Sequence, residues 1–130
     1  MRRVATLAAA VLVLAGGAIH FDLWRQGYRG VPNIGPLFLA NALSSVGVAT
    51  AIVLRSGRLA LLAGVGLAAG TLAGLVISRT VGLLGFLETS WTPDAMRTVA
   101  AEVGALVSLS LVGVIRGRSD HAVLVSTSDR

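Results

Sequence analysis

The chain has 130 residues, enough for one domain; only 13% of them are charged and 55% are hydrophobic, with a mean hydropathy of +0.82. A soluble domain carries about 25% charged residues, so this composition excludes an ordinary water-soluble fold and favours a membrane protein. The chain has no cysteine, which excludes disulfides and thiolate metal sites. Its net charge of +5 comes from scattered arginines without the basic face that nucleic-acid binding needs.

Four apolar blocks predict an all-α polytopic membrane protein, an antiparallel bundle of four transmembrane helices. The predicted spans cover residues 4–24, 36–54, 59–77 and 95–115, each close to the about 20 residues that a helix needs to cross the hydrocarbon core. Strands of a membrane barrel would alternate in polarity over about ten residues, whereas these blocks are continuously apolar. Residues 1–118 are predicted as the transmembrane domain and residues 119–130 as a polar, disordered cytoplasmic tail.

The first block has two interpretations. It crosses the membrane if its helix continues past His20 toward Trp24. Alternatively, two arginines before a short apolar stretch and the small residues 16–18 are compatible with a signal peptide that has a poor cleavage site. Cleavage there would leave three spans.

Arginines near the span ends predict the orientation, because cytoplasmic loops are enriched in basic residues. Six arginines flank one side of the spans and four flank the other. The six are Arg2, Arg3, Arg55, Arg58, Arg116 and Arg118, and the four are Arg25, Arg29, Arg79 and Arg97. This bias predicts that both termini are cytoplasmic in a bacterial plasma membrane, with the longer connecting segments, 20–35 and 78–94, on the outer side.

Three glycines of the third span, Gly66, Gly70 and Gly74, are spaced by four residues. On a helix they form a strip without side chains, along which another backbone can approach closely. We expect this strip to pack inside the same bundle. Association of two copies of the chain through the strip is the alternative.

The predicted spans also place polar side chains at a comparable depth in the outer half of the membrane, one from each span. These are His20, Asn41, Arg79 and Glu102. A charged side chain at the membrane centre costs about 2.5–3.5 kcal/mol on an insertion scale, so Glu102 is expected to face the bundle and to contact Arg79 or His20, directly or through one water. Glu88 and Trp91 of the outer loop are expected to cover this group. The group is either a structural clasp or a functional site.

His20, Trp24 and Tyr28 are likewise spaced by four, so they would share one helix face if the first helix continued outward. Trp24 and Tyr28, together with Trp91, fit the aromatic belt that marks a membrane interface. The alternative is that the row contacts a lipid head group, a quinone or another ligand.

Three strings of residues carry a resemblance. They are H-x-x-x-W-x-x-x-Y-R at 20–29, P-x-I-G-x-L-F at 32–38 and S-R-T-x-G-L-x-G-F-x-E at 78–88. With these strings the chain resembles small uncharacterised four-helix integral membrane proteins of actinobacterial type. The resemblance implies the four-helix topology and no particular reaction.

The sequence contains none of the common catalytic motifs, and its two histidines are too few for a catalytic zinc that typically uses several. No catalytic residue, metal site or cofactor is therefore predicted. The lack of a motif favours a protein that is not an enzyme but does not decide the point. The leading hypothesis is a structural or interaction protein, such as an accessory subunit, whose partners are the lipid bilayer and another membrane protein or a second copy. The alternative is a component of a small transporter or channel that uses the outer polar group; nucleic acid is not an expected partner.

Overall fold

A computed structural model describes residues 2–55 and 57–128, and the side chains of residues 3–55 and 57–118. In this part of the chain four long helices dominate: α1 (Arg2–Gln26), α2 (Ile34–Arg55), α3 (Arg58–Thr80) and α4 (Pro93–Ser128). A short 3₁₀ helix, Tyr28–Gly30, lies between α1 and α2. Each long helix is long and apolar enough to span a membrane, which confirms the prediction of an all-helical membrane protein.

The helices are longer than the predicted spans. α1 passes Trp24 and ends at Gln26, and α2 begins two residues before Pro36. Pro36 therefore lies in the first turn, where its missing N–H has no helical partner to lose. The backbone of α4 is helical to Ser128. A domain boundary at residue 118 and a disordered tail stay predictions, and residues 129–130 lie outside the described residues.

The two ends of the molecule differ in their connections. α2 ends at Arg55 and α3 begins at Arg58. The end of the molecule at which these two helix ends lie is called the short-turn end. The segments 27–33 and 81–92 meet at the other end, where the rings of Tyr28 and Phe86 lie 5.8 Å apart. We call this the long-loop end.

The hydrophobic core fills the bundle toward the short-turn end. It consists of Ala5, Ala9, Ala10, Val13, Ala49, Ile52, Ala60, Leu61, Ala68, Ala105, Leu109 and Val112. The many alanines let the helices approach closely, and the larger side chains fill the remaining space. Gly64 of α3 shows how tight this region is, because an added Cβ would lie 3.0 Å from Leu109 and 3.3 Å from Ile52.

Contacts between α1 and α4 indicate their relative direction. Gly16 lies against Glu102, and Leu12, one turn earlier in α1, lies against Gly104, later in α4. Residue numbers thus rise along one helix as they fall along the other, which is the order expected of antiparallel neighbours. The antiparallel bundle stays a prediction that these contacts support.

A tight turn organises the segment after α3. Leu83 and Phe86 exchange backbone hydrogen bonds of 2.8 and 2.9 Å. Gly82 and Gly85 have φ angles of 90° and 86°, a region that glycine enters without a Cβ clash. The turn carries the Phe86 ring to Tyr28, so the two loops of the long-loop end pack together.

Candidate functional site: a crevice between α2 and α3

A crevice of about 370 Å³ opens between α2 and α3 in the half of the molecule near the long-loop end. Ligand pockets typically measure about 300–1,000 Å³, so this volume lies near the lower end of that range. Leu37, Ala40 and Ser44 line one wall from α2, and the glycine strip lines the other from α3. Side chains of α1, α4 and both loops close the crevice at the back and at the long-loop end.

The glycine strip of α3 faces this crevice instead of another helix. A Cβ added to Gly66 or Gly70 would meet no heavy atom within 4 Å, and at Gly74 it would meet only the end of the Leu83 side chain, at 3.6 Å. The expectation that the strip packs inside the bundle is therefore wrong at Gly66 and Gly70. The spacing permits a close approach, but it does not determine whether a second backbone is there.

Aromatic side chains pack together at the long-loop end of the crevice. The Tyr28 ring lies 5.0 Å from the Phe38 ring of α2 and 5.8 Å from the Phe86 ring of the second loop. All three rings line the crevice and close it at this end. At the short-turn end, by contrast, alanine and glycine allow close packing.

Asn41 bridges the crevice. Its Nδ2 donates a hydrogen bond of 2.6 Å to Oγ1 of Thr71 on α3, and that hydroxyl in turn donates to the Leu67 carbonyl at 2.9 Å. Ser45, one turn along α2, donates to the Asn41 carbonyl at 2.9 Å. Asn41 therefore joins α2 to α3, a role that its position in the sequence did not reveal because Thr71 gave no signal of its own.

His20 lies at the back of the crevice and is only 6% exposed. Its Nδ1 lies 2.9 Å from the Gly16 carbonyl, so the proton of this hydrogen bond is on Nδ1. The imidazole also meets the Phe38 ring edge-on, with 5.0 Å between centroids. Nε2 makes no hydrogen bond to the described residues, and it is the ring nitrogen free to accept one.

The row of His20, Trp24 and Tyr28 is interrupted, because α1 ends at Gln26 and Tyr28 belongs to the 3₁₀ helix. Trp24 instead stacks on Phe21 of its own helix, with 5.8 Å between centroids. Tyr28 turns into the crevice. Burial raises the pKa of Tyr28, and the nearby Glu88 raises it further. The predicted shared face is therefore wrong at Tyr28.

Glu102 is buried, with 3% of its surface exposed, and lies against α1. A Cβ added to Gly16 would be 2.6 Å from its Oε1, so the missing side chain of Gly16 makes room for the carboxylate. Within the described part of the chain, no ion pair or hydrogen bond joins Glu102 to Arg79 or His20. The expected direct contact is not made, although Glu102 and His20 border the same glycine.

Arg79 lies at the mouth of the crevice, near the end of α3. Its guanidinium lies 5.1 Å from the centroid of the Trp91 ring, a cation–π contact. Nη1 donates two long hydrogen bonds, of 3.3 Å to the Ser78 hydroxyl and 3.4 Å to the Leu75 carbonyl. Nε is buried and has no partner among the described residues. Trp91 thus packs against the Arg79 guanidinium, in addition to any role at the membrane interface.

Glu88 also lines the crevice at the long-loop end. Its carboxylate accepts hydrogen bonds from the backbone N–H of Ser90, at 3.0 Å, and from the Ser90 hydroxyl. These bonds lower the pKa of Glu88, and Arg79 adds a smaller effect in the same direction. The Glu88 backbone N–H donates to the Ser78 carbonyl at 2.9 Å, which ties the loop to α3.

Three members of the predicted polar group, His20, Asn41 and Arg79, therefore line the crevice, whereas Glu102 is not among the lining residues. Glu88, which was expected to cover the group, also lines the crevice. Sequence reasoning missed Ser44 and Thr71 on the walls and Thr98 at the back. Gly16 and Gly17, which the alternative interpretation places at a poor cleavage site, are positions of close helix contact in the structure. No group of three or more potential metal ligands occurs among the described residues.

No protein-family model, curated protein or solved structure matches this chain. The resemblance to small four-helix membrane proteins of actinobacterial type rests on the quoted strings alone.

Proposed function

We propose that the chain is a small accessory protein of a bacterial plasma membrane that acts by binding an amphipathic molecule in the crevice between α2 and α3. The observation that supports this most directly is the open glycine strip. Gly66 and Gly70 face space in which an added Cβ would meet nothing within 4 Å. An apolar chain could lie along this surface without displacing a side chain.

The distribution of polar groups supports an amphiphile over a purely apolar ligand. Leucines and isoleucine contribute much of the wall: Leu23, Ile34, Leu37, Leu67 and Leu75. Arg79 and Glu88 lie together at the long-loop end. Because lipid tails are as apolar as leucine, burying a chain gains little from the hydrophobic effect, and packing and polar contacts must supply the affinity. A ligand with an apolar chain and a polar end satisfies both requirements.

A transporter or channel component is the second candidate, favoured by the polar side chains His20 and Thr98 on the crevice wall. Passage would require a polar path through the rest of the membrane. Toward the short-turn end, however, the helices enclose a packed apolar core that includes Ile52 and Leu109, both at most 2% exposed. This packing supports binding at a closed-ended site over passage through the protein.

The arginine bias supports an orientation with both termini in the cytoplasm, which would place the crevice in the outer half of the membrane. A reporter enzyme that functions only in the cytoplasm should be active when it is fused after residue 130. Activity of a periplasmic reporter at the same position would contradict this orientation.

Native mass spectrometry of protein extracted in a mild non-ionic detergent tests the binding function. We expect the wild-type chain to retain a lipid-sized molecule and Gly70→Leu, which fills the crevice, to lose it. Ala69→Leu is the matched control, since Ala69 is an exposed neighbour on α3 that does not line the crevice. Equal retention by wild type and Gly70→Leu would contradict the proposal.

A second copy of the chain is the competing occupant of the glycine strip. Because the natural chain has no cysteine, the variant Gly70→Cys carries a single thiol. Mild oxidation in membranes should leave this variant monomeric. Efficient formation of a disulfide-linked dimer would instead show that two strips meet, as the alternative interpretation of the spacing predicts.

A further inference from the structure

Arg79 is a cation with unused hydrogen-bonding capacity. A guanidinium has five N–H donors in a fixed planar arrangement. Nη1 makes only two long hydrogen bonds, and the buried Nε has no partner among the described residues. A buried donor without a partner costs free energy. Because the buried Nε is closed off from water, a ligand acceptor would bind the terminal nitrogens of the guanidinium instead.

The neighbouring acidic side chains are engaged elsewhere. The Glu88 carboxylate is occupied by the two donors of Ser90, and Asp94 forms an ion pair of 2.9 Å with Arg97. Among the described residues, the ion pair between Arg97 and Asp94 is the one ion pair that joins an arginine to a carboxylate. Arg79 therefore forms no ion pair with a described carboxylate. Glu88 lies near enough to interact with the charge of Arg79 but forms no ion pair with it, so the guanidinium can still bind a ligand anion.

Trp91 holds the guanidinium at the mouth of the crevice, 5.1 Å from its ring. The planar arrangement of donors matches the oxygens of a phosphate group, which arginine binds with two parallel hydrogen bonds. The glycine strip begins one turn and a residue before Arg79, at Gly74, and runs away from it along α3. A head group and a chain of one molecule would therefore meet both features.

We propose that the ligand is an anionic phospholipid of the bilayer, with its phosphate at Arg79 and one acyl chain along the glycine strip. This inference rests on the proposed binding function and adds the chemical class of the ligand. The crevice volume of about 370 Å³ is small for a whole phospholipid. The second chain therefore stays in the surrounding bilayer, which the open side of the crevice permits.

A competition experiment tests the head group. The full chain in a non-ionic detergent is mixed with equal amounts of phosphatidylglycerol and phosphatidylcholine that have identical chains, and the bound lipids are counted by native mass spectrometry. Both lipids offer the same phosphate, and they differ in the choline cation of phosphatidylcholine, which the charge of Arg79 repels. We therefore expect wild type to prefer phosphatidylglycerol by about tenfold. Equal binding of the two lipids by wild type would overturn the inference without the use of any variant.

Two variants identify the residue responsible. Arg79→Gln should abolish the preference for phosphatidylglycerol, whereas Arg97→Gln should keep it. Arg97 is a suitable control because it lies near the same membrane face but is exposed and already paired with Asp94. Loss of the preference in both variants would indicate general attraction of anionic lipid to basic residues and would contradict a site at Arg79.

Gly70→Leu separates this inference from the proposed function. If this variant loses both lipids while Arg79→Gln keeps the wild-type preference, the crevice binds lipid but Arg79 does not select the anionic lipid. If Gly70→Leu binds both lipids as well as wild type does, the crevice is not the binding site and the proposed function fails. A third variant, Glu88→Gln, removes the acid beside Arg79 and should strengthen the preference, so a weakened preference there would also count against the inference.

Discussion

Glycines have opposite surroundings in two regions of this bundle. In α1, Gly16 and Gly17 are buried, and a Cβ added to Gly17 would lie only 2.5 Å from the Cβ of Ser45 in α2. In α3, Gly66 and Gly70 are exposed and face open space. The same residue type therefore brings helices together in one region and lines a crevice in the other. The neighbouring side chains decide which of the two occurs.

The size of those neighbours accounts for the difference. α1 packs along both α2 and α4, and small residues such as Ala9 and Ala105, both 0% exposed, keep their axes close. In the crevice between α2 and α3, by contrast, the larger rings of Tyr28, Phe38 and Phe86 form the lining at the long-loop end. A packed region and an open region thus coexist in one small membrane protein.

The largest expected effect is the difference in unfolding free energy between a variant of the core and a variant of the crevice. Leu109, 2% exposed, belongs to the packed core, and Leu37, 44% exposed, lines the crevice. Leu109→Ala should lower the free energy of unfolding by about 2–5 kcal/mol, because a cavity replaces well-packed atoms. Leu37→Ala should change it by about 0.5 kcal/mol or less. Equal losses in detergent unfolding experiments would mean that the crevice is as tightly packed as the core.

Glycine substitutions sharpen the comparison directly. Gly17→Ala should cost about 1–3 kcal/mol, the usual effect of overpacking, because Ser45 must move. Gly70→Ala, and even Gly70→Ile, should leave the thermal stability in detergent nearly unchanged. A loss for Gly70→Ile comparable to that for Gly17→Ala would show that the strip is packed after all.

Asn41 provides a smaller test of how the two crevice walls are joined. Asn41→Ala removes the hydrogen bond to Thr71 and should destabilise the protein by about 0.6 kcal/mol, with about 1.7 kcal/mol as an upper value for such bonds in membranes. Thr50→Ala is the control, because the Thr50 hydroxyl bonds only within its own helix, to the Val46 carbonyl at 2.8 Å. If both variants lose the same stability, Asn41 does not hold the walls together.

The smallest expected effect concerns the loop at the crevice mouth. The hydrogen bonds from Ser90 lower the pKa of Glu88, so Ser90→Ala should raise that pKa toward its ordinary value. A depressed carboxyl pKa contributes stability above the ordinary pKa, and this contribution is lost as the pH falls through the lowered value. Carboxyl NMR titration of Glu88 in both proteins measures the shift. Since Ser90→Ala keeps the backbone N–H, an unchanged pKa would exclude only the Ser90 hydroxyl as a cause.

The sequence was sufficient to predict four membrane-spanning helices, because about 20 consecutive apolar residues have few other structural solutions. It was also sufficient to single out Asn41, since polar groups in an apolar span stand out, and to single out Arg79 and Glu88 next to the third span. All three line the crevice. Helix ends were less predictable, and all four helices extend beyond the apolar blocks.

What the sequence could not provide is which faces meet. The spacing of Gly66, Gly70 and Gly74 is compatible with a packed strip and with an open one, and only the partner helix distinguishes them. The position of Glu102 predicted a charged partner, but the partner surface is Gly16, a residue that offers space and no charge. Such pairings depend on the rotation of each helix, which a run of apolar residues does not specify.

Photo-crosslinking tests the central claim, that an apolar chain occupies the crevice, most directly. Protein in vesicles that contain phosphatidylglycerol with a diazirine in one acyl chain is irradiated, and the adducts are located by peptide mass spectrometry. We predict adducts enriched at residues 66–74 and 37–44, and loss of this enrichment in Gly70→Leu but not in Ala69→Leu. Adducts at the outward-facing Leu62 and Val107, each about two-thirds exposed, with no enrichment along the glycine strip, would contradict the account.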